Sequence, residues 1–235
     1  MNETPQAKES LKPVPRLGMR RFSTVELLIA LALLFVSFPF VEEVKGGDII
    51  VSILLSLVLI SAVLAVSNRR ITLVVAVLLA IPAIAGRWIN HFRPDLAPAA
   101  VFLVAGLVLV AFVVMNLLRF VLRAPSVNVE VLCASISAYL MIGLIWTMAY
   151  WLVAKVTPNA FAFNTATGTK ESMEGFNAFY FSFITLSTVG YGDITPVSRI
   201  ARWLAATEAM TGLLYVTVLI ARLVGLYSSP KSDDS

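Results

Sequence analysis

Charge is scarce in this chain. Asp, Glu, Lys and Arg make up 14% of its 235 residues, against roughly 25% in an ordinary soluble domain, which excludes a globule surrounded by water. There is one cysteine, Cys133, so no disulfide can close within the chain. It lies in an apolar stretch and reads as a small buried hydrophobe. There is one histidine, His91. With no Ser/His/Asp arrangement, no Cys/His pair and no cluster of metal ligands, nothing points to an enzyme or to a cofactor. His91 lies in Arg87-Trp88-Ile89-Asn90-His91-Phe92-Arg93, expected to be an outer loop. Two readings are open for it: a proton sensor, because histidine titrates at about pH 6.5, or an ordinary interfacial residue. The net charge of +4 does not imply nucleic acid. The basic side chains are dispersed at the ends of apolar runs, where they orient a chain in a bilayer, so the expected partner is membrane lipid.

Apolar length is what the chain has instead. It is 59% hydrophobic, with a mean hydropathy of +0.87. A bilayer core of about 30 Å needs about 20 apolar residues as helix. Six runs qualify or nearly do: about Ser23–Val41, ended by Pro39 and Glu42-Glu43; Ile49–Ser67; Ile71–Trp88, short and carrying Pro82 and Gly86; Ala99–Leu122; Val129–Val153; and Ala201–Tyr227. Residues 1–22 are polar and mixed, and read as a disordered cytoplasmic tail; residues 228–235 read as a second. Residues 155–174 read as an exposed polar loop. After them Phe176–Leu186 is apolar for only about half a bilayer. Irregular backbone at membrane depth is tolerated only against protein or water, so this segment reads as a re-entrant pore helix. With the N-terminus inside, the inner side holds Lys8, Lys12, Arg16, Arg20, Arg21, Arg69, Arg70, Arg119, Arg123, Arg222 and Lys231. The outer side holds Lys45, Arg87, Arg93, Lys155, Lys170, Arg199 and Arg202. Eleven against seven places both termini in the cytoplasm of a multi-pass protein of the inner (plasma) membrane.

Two glycines flank one aromatic in Thr188-Val189-Gly190-Tyr191-Gly192, with Asp193 next. This spacing lets a short strand turn successive carbonyls one way, through φ/ψ values that a residue with a Cβ reaches only at a cost. Four such strands around an axis make rings of oxygen that can replace the water around a bare K⁺. The run Thr185-Leu186-Ser187-Thr188-Val189-Gly190-Tyr191-Gly192-Asp193 resembles the selectivity filter of tetrameric potassium channels. TVGYG is the known filter sequence, so this is a match to a pattern and not a derivation of one.

The resemblance covers about residues 131–226, the helix–pore helix–filter–helix unit. It implies K⁺ ions held by the carbonyls of Thr188, Val189, Gly190 and Tyr191 and by the Thr188 hydroxyl, and no other cofactor. It implies support of the filter by Ser187, Tyr180, Gly192 and Asp193, with Asp193 tying the outer mouth to the pore helix. Phe179, Tyr180 and Phe181 are expected to pack around the filter. Ile184 stands where many simple two-helix bacterial channels carry a glutamate paired with the outer aspartate, so that partner of Asp193 is missing. In the last run Gly212 matches a position where the family's inner helix bends. A hinge and close packing are both open for it, since glycine costs about 1 kcal/mol against alanine in a helix. Glu208, an acid at membrane depth, resembles a glutamate of related inner helices. Structural hydrogen bonding and direct attraction of ions are both open.

The fourth run lacks the arginines at every third position that voltage-gated channels carry. Arg119 and Arg123 come only at its inner end, as positive-inside anchors. Weak or absent voltage dependence is therefore expected. No second copy of the filter is present, and one copy cannot enclose an axis, so a homotetramer is implied. The expected architecture is an all-α membrane protein of six transmembrane helices plus the re-entrant pore helix. Residues 23–123 would form a non-sensing four-helix peripheral domain. Residues 129–227 would form the pore domain, with pore helix 176–187, filter 188–193 and inner helix 199–227. The expected activity is passive, selective K⁺ conduction; the alternatives are a K⁺ transporter subunit or a non-conducting channel-like regulatory subunit.

Overall fold

The structure, a computed structural model, describes residues 23–41, 46–66, 70–92, 99–164 and 172–228. The tail at 1–22, the Glu42-Glu43 pair and all of the 228–235 tail but Ser228 lie outside the described residues. In chain order the elements are α1 (Ser23–Val41), α2 (Gly47–Val66), α3 (Arg70–Phe92), α4 (Ala99–Arg123), α5 (Val129–Val156), β1 (Phe161–Phe163), α6 (Gly175–Leu186), β2 (Ile194–Pro196) and α7 (Arg199–Ser228). The protein is an all-α membrane protein in class, with α1, α2, α4, α5 and α7 long and apolar enough to cross a bilayer. The apolar stretch of α3, Arg70–Gly86, is shorter.

Helix α1 has the expected bounds, with Pro39 inside its last turn. Three details differ from expectation. Helix α3 runs unbroken past Pro82 and Gly86 to Phe92, so His91 lies in its last turn and not in a loop. Helix α5 extends to Val156, where the Thr157 N–H donates to the Val153 carbonyl at 2.8 Å. The polar segment 155–174 is not wholly an exposed loop. Within it Phe161-Ala162-Phe163 forms β1, paired antiparallel with β2 so that Phe161 faces Pro196 and Phe163 faces Ile194. Ala160, Phe161 and Met173 are buried.

The first four helices pack in sequence, α1 on α2, α2 on α3 and α3 on α4, and both α1 and α4 pack on α5. Buried positions recur at helical spacing: Leu27, Leu31 and Leu34 on α1, Leu109, Val113 and Leu117 on α4, Ala134, Ala138 and Met141 on α5. Lipid tails are as apolar as these side chains, so the small residues matter by letting backbones approach. At the start of α5 the Asn128 side chain caps the helix, accepting from the Val131 N–H at 2.9 Å, a common N-cap role. Helix α1 also reaches the short helix α6. The Phe35 ring lies 4.7 Å from Phe179 and 4.5 Å from Phe183, both edge-on, and Phe38 lies 4.9 Å from Phe179.

Helix α7 stands apart. Only 6% of its apolar span is buried within the chain, against 50% for α5. Met210, Leu213, Leu214, Val218, Ile220 and Val224 are all exposed in a single copy.

Candidate functional site

Helix α6 has 12 residues, about 18 Å at 1.5 Å per residue, and cannot cross a bilayer. Its end is held by Ser187, whose N–H donates to the Phe183 carbonyl at 3.1 Å and whose hydroxyl reaches the same carbonyl at 2.6 Å. Three further amides then fold back onto the helix end. Thr188 N–H donates to Thr185 O at 2.9 Å; Val189 and Gly190 N–H both donate to Ile184 O, at 2.9 and 3.2 Å. The residues that follow Ser187 therefore spend their donors on α6.

The backbone alternates. Thr188, Gly190 and Gly192 have φ of 60°, 53° and 82°, while Val189 and Tyr191 between them are not among the positive-φ residues. For Gly190 and Gly192 the need is conformational and not spatial, because an added Cβ would meet nothing within 4 Å. Thr188 adopts the left-handed region despite its Cβ, at about 1–2 kcal/mol. Val189 and Tyr191 are exposed in the isolated chain.

Asp193 is doubly engaged. Its Oδ2 accepts from the Tyr180 hydroxyl at 2.7 Å and its Oδ1 from the Ile194 N–H at 3.0 Å. Tyr180, on α6, is thus a side-chain partner of Asp193. The Tyr180 hydroxyl is the donor of this pair. Asn164 was not singled out from sequence. It donates its backbone N–H to Asp193 O at 2.7 Å and its side-chain amide to Gly192 O at 2.9 Å. It follows β1, and the pairing of β1 with β2 brings it beside the far end of the glycine segment.

The aromatics expected around the filter divide into two groups. Phe179 packs with Phe176, Phe183, Phe35 and Phe38. Phe181 faces the other way, 4.9 Å from Tyr150 and 5.6 Å from Phe161.

Behind α6 lies α7. Gly212 sits against the end of α6, where a Cβ would overlap the Leu186 carbonyl oxygen; close approach is thus one physical reason for a glycine there. Glu208 is fully buried; its Oε2 accepts from the Tyr150 hydroxyl of α5, and its Oε1 lies 2.6 Å from the Ser182 hydroxyl oxygen of α6. Gly143 on α5 was also missed from sequence; a Cβ there would overlap the Phe183 ring. Lower on α7, Tyr215 donates to Ser135 O at 2.6 Å, and Arg222 donates to Val121 O and Ala124 O at 3.1 and 3.0 Å. The guanidinium thereby ties α7 to the end of α4. Among the described residues no group of three or more His, Cys, Asp or Glu could hold a metal ion.

Comparison with known proteins concentrates on the same region. Residues 138–229 match the family described as "Ion channel". Over 61 residues the chain is 43% identical to Protein LctB of Geobacillus stearothermophilus, covering 26% of this chain and 44% of that protein. Over 48 residues it is 44% identical to Two-pore potassium channel 4 of Arabidopsis thaliana, covering 20% and 17%. Over 60 residues it is 42% identical to Voltage-gated potassium channel Kch of Escherichia coli (strain K12), covering 22% and 14%. The chain spans less than half the length of each of these relatives. The family and two of these three relatives are described as channels. Over α5, α6, the glycine segment and α7 the chain is similar to an ion-channel family and to relatives named as potassium channels.

Proposed function

We propose that the protein is a K⁺-selective channel that lets K⁺ run passively down its electrochemical gradient, with four copies around one axis. The φ alternation over Thr188–Gly192 supports this most directly. With the amides of Thr188, Val189 and Gly190 committed to α6, the oxygens of Thr188, Val189, Gly190 and Tyr191 are the groups left to replace the hydration shell of an ion. Asp193 and Gly192 close the outer mouth, held by Tyr180 and Asn164. The exposed α7 supports a tetramer, since its apolar face needs cover from neighbouring copies and its remaining surface suits a central cavity. Six spans per chain include α3, and both termini lie at the cytoplasmic face of the plasma membrane. The four peripheral helices do not sense voltage: the basic residues of α4 are Arg119 and Arg123 at its inner end, where little of the membrane field is crossed.

Flux into liposomes tests this. Vesicles holding the purified protein are expected to take up K⁺ and radiolabelled Rb⁺ well above Na⁺, with block by Ba²⁺. Equal passage of Na⁺ and K⁺ would remove selectivity from the proposal. Folded protein passing no ions would favour the non-conducting regulatory subunit.

A further inference from the structure

We infer that Glu208 is a positioning residue for the selectivity filter, acting through Ser182 and Tyr150 from behind the pore helix. This rests on the channel function proposed above and concerns the same site. Glu208 is fully buried at membrane depth, where an ionised carboxylate without a cation partner is costly. Its hydrogen-bonding partners are both hydroxyls, Tyr150 on α5 and Ser182 on α6. The Ser182 oxygen lies 2.6 Å from Glu208 Oε1 and also 2.8 Å from the Gly143 carbonyl of α5. A serine hydroxyl has one proton to give. All three contacts carry a proton when Tyr150 donates to Glu208, Ser182 donates to Gly143 O, and Glu208 donates to Ser182 as a neutral acid. The cluster then binds α5, α6 and α7 at one point with no buried charge and with every O–H of its members donated.

The point lies close to the ion path. Ser182 is two residues before Ile184, whose carbonyl receives the N–H groups of Val189 and Gly190. One turn further along α7, Gly212 abuts the Leu186 carbonyl. The pore helix is thus pinned from behind at Ser182 and Leu186, on either side of the oxygen that orients the filter amides. Loosening the Glu208 pin lets Ile184 move, and the filter oxygens lose their common distance to the ion before the protein unfolds.

The test measures the K⁺/Na⁺ flux ratio in liposomes for wild type, Y150F, S182A, E208A and E208Q, each checked for wild-type assembly by gel filtration. Y150F and S182A each delete one hydroxyl and are expected to lower the ratio by about three- to tenfold, the range of one net hydrogen bond. E208A is expected to fall at least as far. E208Q keeps an acceptor and a donor without charge, and is expected to recover most of the loss. If E208A does not assemble, Y150F and S182A decide. Wild-type ratios in both would overturn this inference alone, as would an E208Q ratio no better than that of the single hydroxyl deletions. Wild-type protein that conducts nothing would overturn the channel function and this inference together.

Discussion

Gly190 and Gly192 occupy left-handed backbone with open space around them. Ala at Gly190 therefore meets no steric wall and still opposes φ of 53°, at a cost of about 1 kcal/mol or more. G190A is expected to assemble as wild type and to lose K⁺ over Na⁺ preference, read as liposome flux ratios. Tyr180 and Asn164 hold the outer end by hydrogen bonds, each contributing about 1 kcal/mol net. Y180F and N164A are expected to shorten single-channel open times in planar bilayers; unchanged open times in both would show that Asp193 and Gly192 need no such support. The order Thr188 to Asp193 was legible because its information is local: glycine positions in a short run. Tyr180 entered as filter support only through the resemblance, and the other partners, Asn164 and Tyr150, were not legible. Tyr180 lies 13 residues before Asp193, Asn164 28 before Gly192, and Tyr150 58 before Glu208. No periodicity in the sequence encodes contacts across such distances.

Helices were legible wherever apolar length was the signal. The short span of Phe176–Leu186 marked α6 by its insufficiency, and the structure gives it as Gly175–Leu186. The end of α5 was misjudged by reading the polar run after Val153 as a stop, although the helix runs on to Val156. Strand β1 was hidden because three residues are too few to show an alternation. Glycines divide sharply at this scale. Gly143 and Gly212 each abut another element, the Phe183 ring and the Leu186 carbonyl, while a Cβ at Gly225 meets nothing within 4 Å. G143A and G212A are expected to lower the thermal unfolding midpoint in detergent. G225A is expected to hold or raise it, by up to about 1 kcal/mol of helix propensity. A normal midpoint for G212A would show that α7 is free to stand away from α6, which would favour a hinge at Gly212.

For the whole molecule, the unburied face of α7 and the single filter copy were the signals for assembly, one structural and one in the sequence. Cross-linking of the purified protein in detergent is expected to end at four subunits; a dimeric limit would require a different pore. Patch-clamp recording is expected to show opening that changes little with voltage. Steep opening equivalent to several charges per channel would contradict the position of Arg119 and Arg123.

The connection between α4 and α5 is five residues, 124–128, which span at most about 20 Å, and the two helices pack against one another. Each polypeptide therefore keeps its outer helices beside its own Phe179 and Phe183, not beside a neighbour's. In assemblies that mix altered and unaltered copies, a lesion at Phe35 would disturb only the copy that carries it, and the functional deficit should climb stepwise with the number of defective members.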